Sequence, residues 1–127
     1  MIDYLFDTNI VIYLTQAQER YVEFARRLDQ HVTGISVITY MEVLVGAEDA
    51  LEHNAIAMLG KFVIVPMDVH IARAAVETLR HRPRKSLKDP FLPDILIAHT
   101  ALHLGVPLVT NNPGDFTAFA GLELVVP

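Results

Sequence analysis

Short apolar runs alternate with stretches of helical spacing along the whole chain. Tyr4-Leu5-Phe6 passes straight into Asp7-Thr8-Asn9, three small oxygen-bearing side chains, and the apolar segment Ile10 to Leu14 follows. A strand buried on both faces reads as a continuous apolar run, so this opening predicts a first strand that ends at Asp7 and a helix after it. Between Gln18 and Gln30, Tyr21, Phe24, Ala25 and Leu28 recur at helical spacing beside Glu23, Arg26 and Arg27, which predicts a second short helix. Val32 to Ile35 is a brief strand, and Ser36 is placed to cap a helix from Val37 to about Gly46. A further helix from about Glu48 to Leu59 stops at Gly60, before a strand over Phe62 to Val65. Asp68 opens the next helix, with Ile71, Ala74, Ala75 and Leu79 inward, and Pro83 ends it. Residues 84–92 are polar, contain Pro90 and read as a loop. Pro93 and Asp94 suit the first turn of a helix that runs to Leu104, with Gly105 as its stop. A short strand over Pro107 to Val109, a loop from Thr110 to Gly114, a helical turn over Asp115 to Phe119 and a closing strand over Leu124 to Val126 complete the pattern. Strands that alternate with helical crossovers predict an α/β fold, a parallel sheet covered on both faces.

Composition narrows the picture. The 127 residues fit one domain, 1–127, with one core, and 52% apolar content favours a well-buried globule. No uninterrupted apolar stretch reaches the roughly 18 to 20 residues of a membrane span. The first ten residues carry two aspartates and no basic side chain, so no secretory signal is expected and a cytoplasmic location is the simplest expectation. With no cysteine, disulfides, thiolate catalysis and Cys-based zinc sites are excluded. A net charge of −5 argues against a general nucleic-acid coat, which works by phosphate neutralisation, and leaves room for a local basic patch.

Four carboxylates stand at comparable points of the pattern. Asp7 and Asp115 follow strand ends, while Glu42 and Asp94 lie within the first two turns of helices. Each has a local explanation: Asp7 and Asp115 as caps, Asp94 as a partner of the helix dipole, Glu42 as a surface residue. Glu42 sits oddly among Ile38, Met41, Val43 and Val45. In a doubly wound sheet, strand carboxyl ends and the amino ends of the following helices share one edge, where ligands collect. Four carboxylates gathered there would repel one another and call for a cation, and hard oxygen ligands point to Mg²⁺ or Mn²⁺. Thr8, Asn9, Thr110 and Asn112 are the candidates to hold those ligands by hydrogen bonds.

These residues give the chain its likeness to a family. It resembles the PIN domain ribonucleases and, in its small size, the VapC toxins of bacterial and archaeal toxin–antitoxin pairs. The matching blocks are Phe6-Asp7-Thr8-Asn9; Ser36 to Glu42 with Gly46; Pro93 to Ala98 with Ala101 and Gly105; and Leu108 to Asn112 with Asp115-Phe116. They run through the chain in order. The resemblance implies a PIN-like fold, with a central parallel five-stranded sheet in the order 3-2-1-4-5 and helices on both faces. It implies metal-dependent hydrolysis of RNA phosphodiesters, with Mg²⁺, or Mn²⁺ in its place, held by Asp7, Glu42, Asp94 and Asp115. It also implies a homodimer, a cognate VapB-like antitoxin, and a heterotetramer or larger assembly with it. One departure stands out: Asn111 occupies a position where many relatives carry arginine, which touches only a substrate contact. A PIN-like module that binds RNA or protein without cutting is the competing reading.

Five of the ten basic residues, Arg80, Arg82, Arg84, Lys85 and Lys88, fall between positions 80 and 88. They form either an RNA-positioning edge beside Asp94 or an ordinary solvated loop. His99 and His103 have the spacing of a zinc pair but lack the adjoining glutamate of a metalloprotease, and read as surface or interface histidines. Tyr13, Tyr40 and Phe116 are aromatic candidates for base stacking, with burial or a dimer contact as the plainer role. Ser36 and Ser86 lie in no triad pattern. A phosphoryl-transfer domain of the haloacid-dehalogenase type would need aspartate where Asn9 stands, and a receiver domain would need lysine where Thr110 stands.

Overall fold

A computed structural model describes residues 1–83 and 85–127. In chain order its elements are β1 (Tyr4–Phe6), α1 (Thr8–Thr15), α2 (Glu19–Arg27), β2 (Thr33–Ser36), α3 (Val37–Gly46), α4 (Asp49–Leu59), β3 (Val63–Val65), α5 (Val69–Arg80), α6 (Leu92–Leu104), β4 (Leu108–Val109), a 3₁₀ turn (Pro113–Phe116) and β5 (Leu124–Val125). The strands form one sheet in the order β3-β2-β1-β4-β5. Every pairing is parallel, with Leu5 opposite Gly34 on one side and Leu108 on the other.

The central strand shows why its sequence is apolar without alternation. Leu5 is fully buried and packs with Ile97, Ala98, Ala101 and Leu108 on one face. Its neighbour Phe6 points the opposite way, into Ile10, Val11, Leu14, Val43 and Leu59. Successive side chains of a strand face opposite sides, so helices must cover both. The first layer is α6, on whose outer side α5 packs through Ala75, Leu79 and Ile95. The second is α1, α2 and α4, with the Val43 side of α3. Among the described residues no helix is long and apolar enough to cross a membrane.

The ends of the elements follow local chemistry. Ser36 caps α3, its Oγ accepting from the Ile38 N–H at 3.1 Å. Asp68 caps α5 through Ile71 N–H at 2.9 Å. Gly105 closes α6 at φ 67°, the left-handed conformation that favours glycine. Three expectations shift. The second helix ends at Arg27, where Leu28 leaves helical geometry. The last helical turn starts at Pro113, two residues early, because proline's fixed φ favours the first position of a helix. On α3, Met41 and Val45 are exposed rather than covered, so the apolar surroundings of Glu42 in sequence are only partly a buried face.

Candidate active site

Parallel pairing brings the ends of β1, β2 and β4 to one edge of the sheet, and the amino ends of α1 and α3 start there. Asp7 is the residue at which β1 becomes α1. It serves both roles open to it in the sequence: it is the N-cap of α1 and a buried carboxylate at the sheet edge. Oδ1 accepts from the Thr8 backbone N–H at 2.8 Å, and Oδ2 accepts from the Thr110 hydroxyl at 2.9 Å. The same Thr110 oxygen accepts from the Asn112 backbone N–H at 3.0 Å. With its proton committed to Asp7 and a lone pair to Asn112, Thr110 has one orientation.

Glu42 is held in a matching way. The Thr8 hydroxyl donates to Oε1 of Glu42 at 2.7 Å and lies 3.0 Å from the Thr39 hydroxyl. Thr8 has one proton, so Thr39 is the donor in that second bond. Asp94 stands in the first turn of α6 and Asp115 in the exposed 3₁₀ turn beyond β4. Both line one cavity of about 300 Å³ with Thr78, Arg82, Phe91 and Phe119.

Electrostatics ties the four acids together. The Asp94 carboxyl is pushed up to about 6, first by burial and then by the negative charges of Asp7, Asp115 and Glu42. Asp7 is also raised, chiefly by burial, while the Thr110 hydroxyl and the Thr8 N–H pull the other way. No hydrogen bond from the described residues reaches the Asp94 carboxylate. Nor, among those residues, do any three acidic or histidine side chains close into a metal-ligating group. The donors are nevertheless all hard oxygens in a region of unfavourable negative potential. An open set of this kind fits a small divalent cation that keeps part of its water shell, as Mg²⁺ does.

The supporting residues divide. Thr8 and Thr110 hold the acids by their side chains. Asn112 contributes its backbone N–H, the residue being exposed, and no side-chain hydrogen bond from Asn9 is made to a described residue. Asn111 instead donates to the Tyr13 hydroxyl at 3.3 Å. Of the described basic residues, only Arg82 lines the acid-bearing cavity. Arg80 pairs with Glu77 and lines a separate hollow with Lys85. Lys88 is exposed, and Arg84 lies outside the described residues. Phe116 is in the core and Tyr13 packs against Tyr21; Tyr40 is half-buried against the α1–α4 layer. The His99 ring bonds Thr78 at 2.6 Å while His103 faces Asp68 at 3.4 Å, so the two do not form a pair.

Sequence reasoning missed Thr39 and Asp89. Thr39 had a signal, standing three residues before Glu42 on the same helical face. Asp89, buried in a polar loop, had none: aspartate before proline is ordinary turn composition.

Comparison with known proteins identifies the family. Residues 4–122 match the PIN domain family. The tRNA(fMet)-specific endonuclease VapC of Shigella flexneri is 32% identical over 128 residues, covering 97% of this chain and 96% of that protein. A toxin–antitoxin complex from Klebsiella pneumoniae contains a chain 34% identical to this one, with TM-score 0.75 and coverage of 97% and 96%. VapBC2 of Rickettsia felis, solved on a fragment of promoter DNA, shares the fold at TM-score 0.81 and 22% identity, over 100% of this chain and 99% of that one.

Proposed function

The chain belongs to the PIN domain family, and from that membership we propose that it is an endoribonuclease that uses a divalent cation to hydrolyse RNA phosphodiesters, as the toxin of a toxin–antitoxin pair. The observation that carries the reading is the double threonine clamp. Thr110 and Thr8 fix Asp7 and Glu42 at the edge of the sheet where Asp94 and Asp115 also gather. A buried structural carboxylate needs no such convergence with three others.

Asp7, Glu42, Asp94 and Asp115 are the residues to hold the cation, Mg²⁺ or Mn²⁺. When bound, such an ion lowers the pKa of water and offsets charge that develops on the phosphate. The chain's own contribution is orientation and proton handling. The Thr110 and Thr8 hydroxyls stop Asp7 and Glu42 from rotating away, which keeps the site assembled before substrate arrives. An oxygen of Asp94 left free of the cation, with no hydrogen bond from a described residue, is the acceptor for the proton that an attacking water releases. The partner that restrains this activity is a VapB-like antitoxin, and the toxin itself pairs as a homodimer.

The test is cleavage of purified tRNA(fMet), the substrate in the name of the Shigella relative, and of total RNA, with Mg²⁺ or Mn²⁺. Wild type is expected to cut, EDTA to stop it, and Asp7→Asn and Asp94→Asn to lose at least 100-fold in rate while staying folded, about 3 kcal/mol of transition-state stabilisation. Full activity in both variants, or no cleavage of any RNA by wild type with either ion, overturns the proposal.

A further inference from the structure

The cavity that carries Asp94 and Asp115 has a second wall whose construction the four acids do not explain. Asp89 is 5% exposed, in a loop that is otherwise largely solvated. Its Oδ1 accepts from the Phe91 backbone N–H at 2.9 Å, and its Oδ2 accepts from Arg82 Nε. The Arg82 guanidinium in turn lies over the Phe91 ring, 4.9 Å from its centroid. One buried carboxylate therefore fixes both members of a cation–π pair. Phe91 is nevertheless 44% exposed. Arg82 lies over one ring face, and Phe91 lines the same cavity as Asp94 and Asp115.

Leaving a phenylalanine this open costs burial that a buried core position would recover, and a buried aspartate that locks an arginine beside it is more than a loop needs. We infer that Phe91 and Arg82, held by Asp89, form a subsite for an unpaired nucleotide next to the scissile phosphate, an inference that rests on the ribonuclease reading above. The base stacks on the free face of Phe91, and the Arg82 Nη atoms, which bond no described residue, face a phosphate oxygen. A stacked base must be splayed from its neighbours, so the subsite selects single-stranded RNA by the π-face common to all four bases. Arg82 also offsets the repulsion that Asp94 and Asp115 exert on the RNA backbone. Asp89 is a positioning residue, since it acts on the nucleotide through Arg82 and Phe91.

The test uses the full chain with Ca²⁺ in place of Mg²⁺ and a single-stranded RNA oligonucleotide in which 2-aminopurine is walked along the sequence. Wild type is expected to quench the fluorophore at one position. Phe91→Leu, which keeps the apolar bulk without the ring, is expected to lose that quenching and about 5- to 150-fold in affinity. Phe91→Trp is expected to retain both, which separates stacking from a general structural role. No binding by wild type, or equal binding and quenching by Phe91→Leu, overturns the subsite. So does a Phe91→Leu variant that binds RNA normally but loses affinity for its antitoxin. Cleavage in Mg²⁺ is scored separately: binding as expected without turnover would end the nuclease reading and leave the subsite standing, whereas turnover unaltered by Phe91→Leu would end the subsite alone.

Discussion

Two threonine hydroxyls at the sheet edge decide where the acids can be. Removing the Thr110 hydroxyl in Thr110→Val leaves a buried Asp7 oxygen without its donor, at a cost of about 1–3 kcal/mol, and pushes the Asp7 carboxyl further up. Cleavage is expected to fall about 10- to 100-fold, the usual effect of losing a ligand's support, with a lower urea midpoint in EDTA. Asp94 behaves in the opposite sense. Its carboxyl sits at about 6 in the fold against 3.8 in an unfolded chain, so between those values the folded protein binds the proton and the unfolded one does not. Its contribution to metal-free stability therefore falls as pH rises from about 4 to 6 and stays unfavourable above. Asp94→Asn is expected to raise stability in EDTA at pH 7.5 by about 1 kcal/mol, discounted for solvent screening at a partly exposed group. Excess Mg²⁺ should reverse the order, and denaturation at pH 4.5, 6 and 7.5 with and without the ion checks both signs. At this scale the four acids were legible because each stands just past a predicted strand end or inside a predicted helix start. Asp89 and the Arg82–Phe91 contact were not, because side-chain contacts within a loop beyond a helix end leave no periodicity behind.

The elements themselves were easier to read than their partners. Strands of two to four residues were visible because the central ones are buried on both sides, which makes even Leu108-Val109 an uninterrupted apolar pair between Pro107 and Thr110. Helix limits followed from caps: Ser36, Asp68 and Gly105 each perform the terminal role their residue type suggests. The exposure of Met41 and Val45 was hidden, since an apolar side chain on a helix reads as buried whether or not anything covers it. Gly105 carries the clearest elemental cost. Gly105→Ala meets nothing within 4 Å of its new Cβ, so its penalty is conformational alone, about 1–2 kcal/mol for a left-handed φ. An unfolding free energy lowered by that amount in denaturant titration, without loss of RNA cleavage, is the expected result.

Across the whole molecule, charge and topology pull in different directions. The net charge of −5 opposes RNA, and the described basic residues between positions 80 and 88 are divided, since Arg82 lines the acidic cavity while Arg80 and Lys85 line another. Binding should accordingly neutralise few phosphates, with a log–log salt slope of only about −1 to −3; a slope several times steeper would require a basic surface that this arrangement lacks. The strand order was accessible only through resemblance to the family, because apolar runs identify strands without saying which lie side by side. The pairing of β1 with β4 joins Asp7 to Thr110 across a separation of 103 residues. During translation, then, a ribosome must deliver the chain beyond Thr110 before that hydroxyl can meet its acid, and Asp115 emerges later still. Until both have emerged, a nascent chain lacks the clamp that assembles its acidic edge.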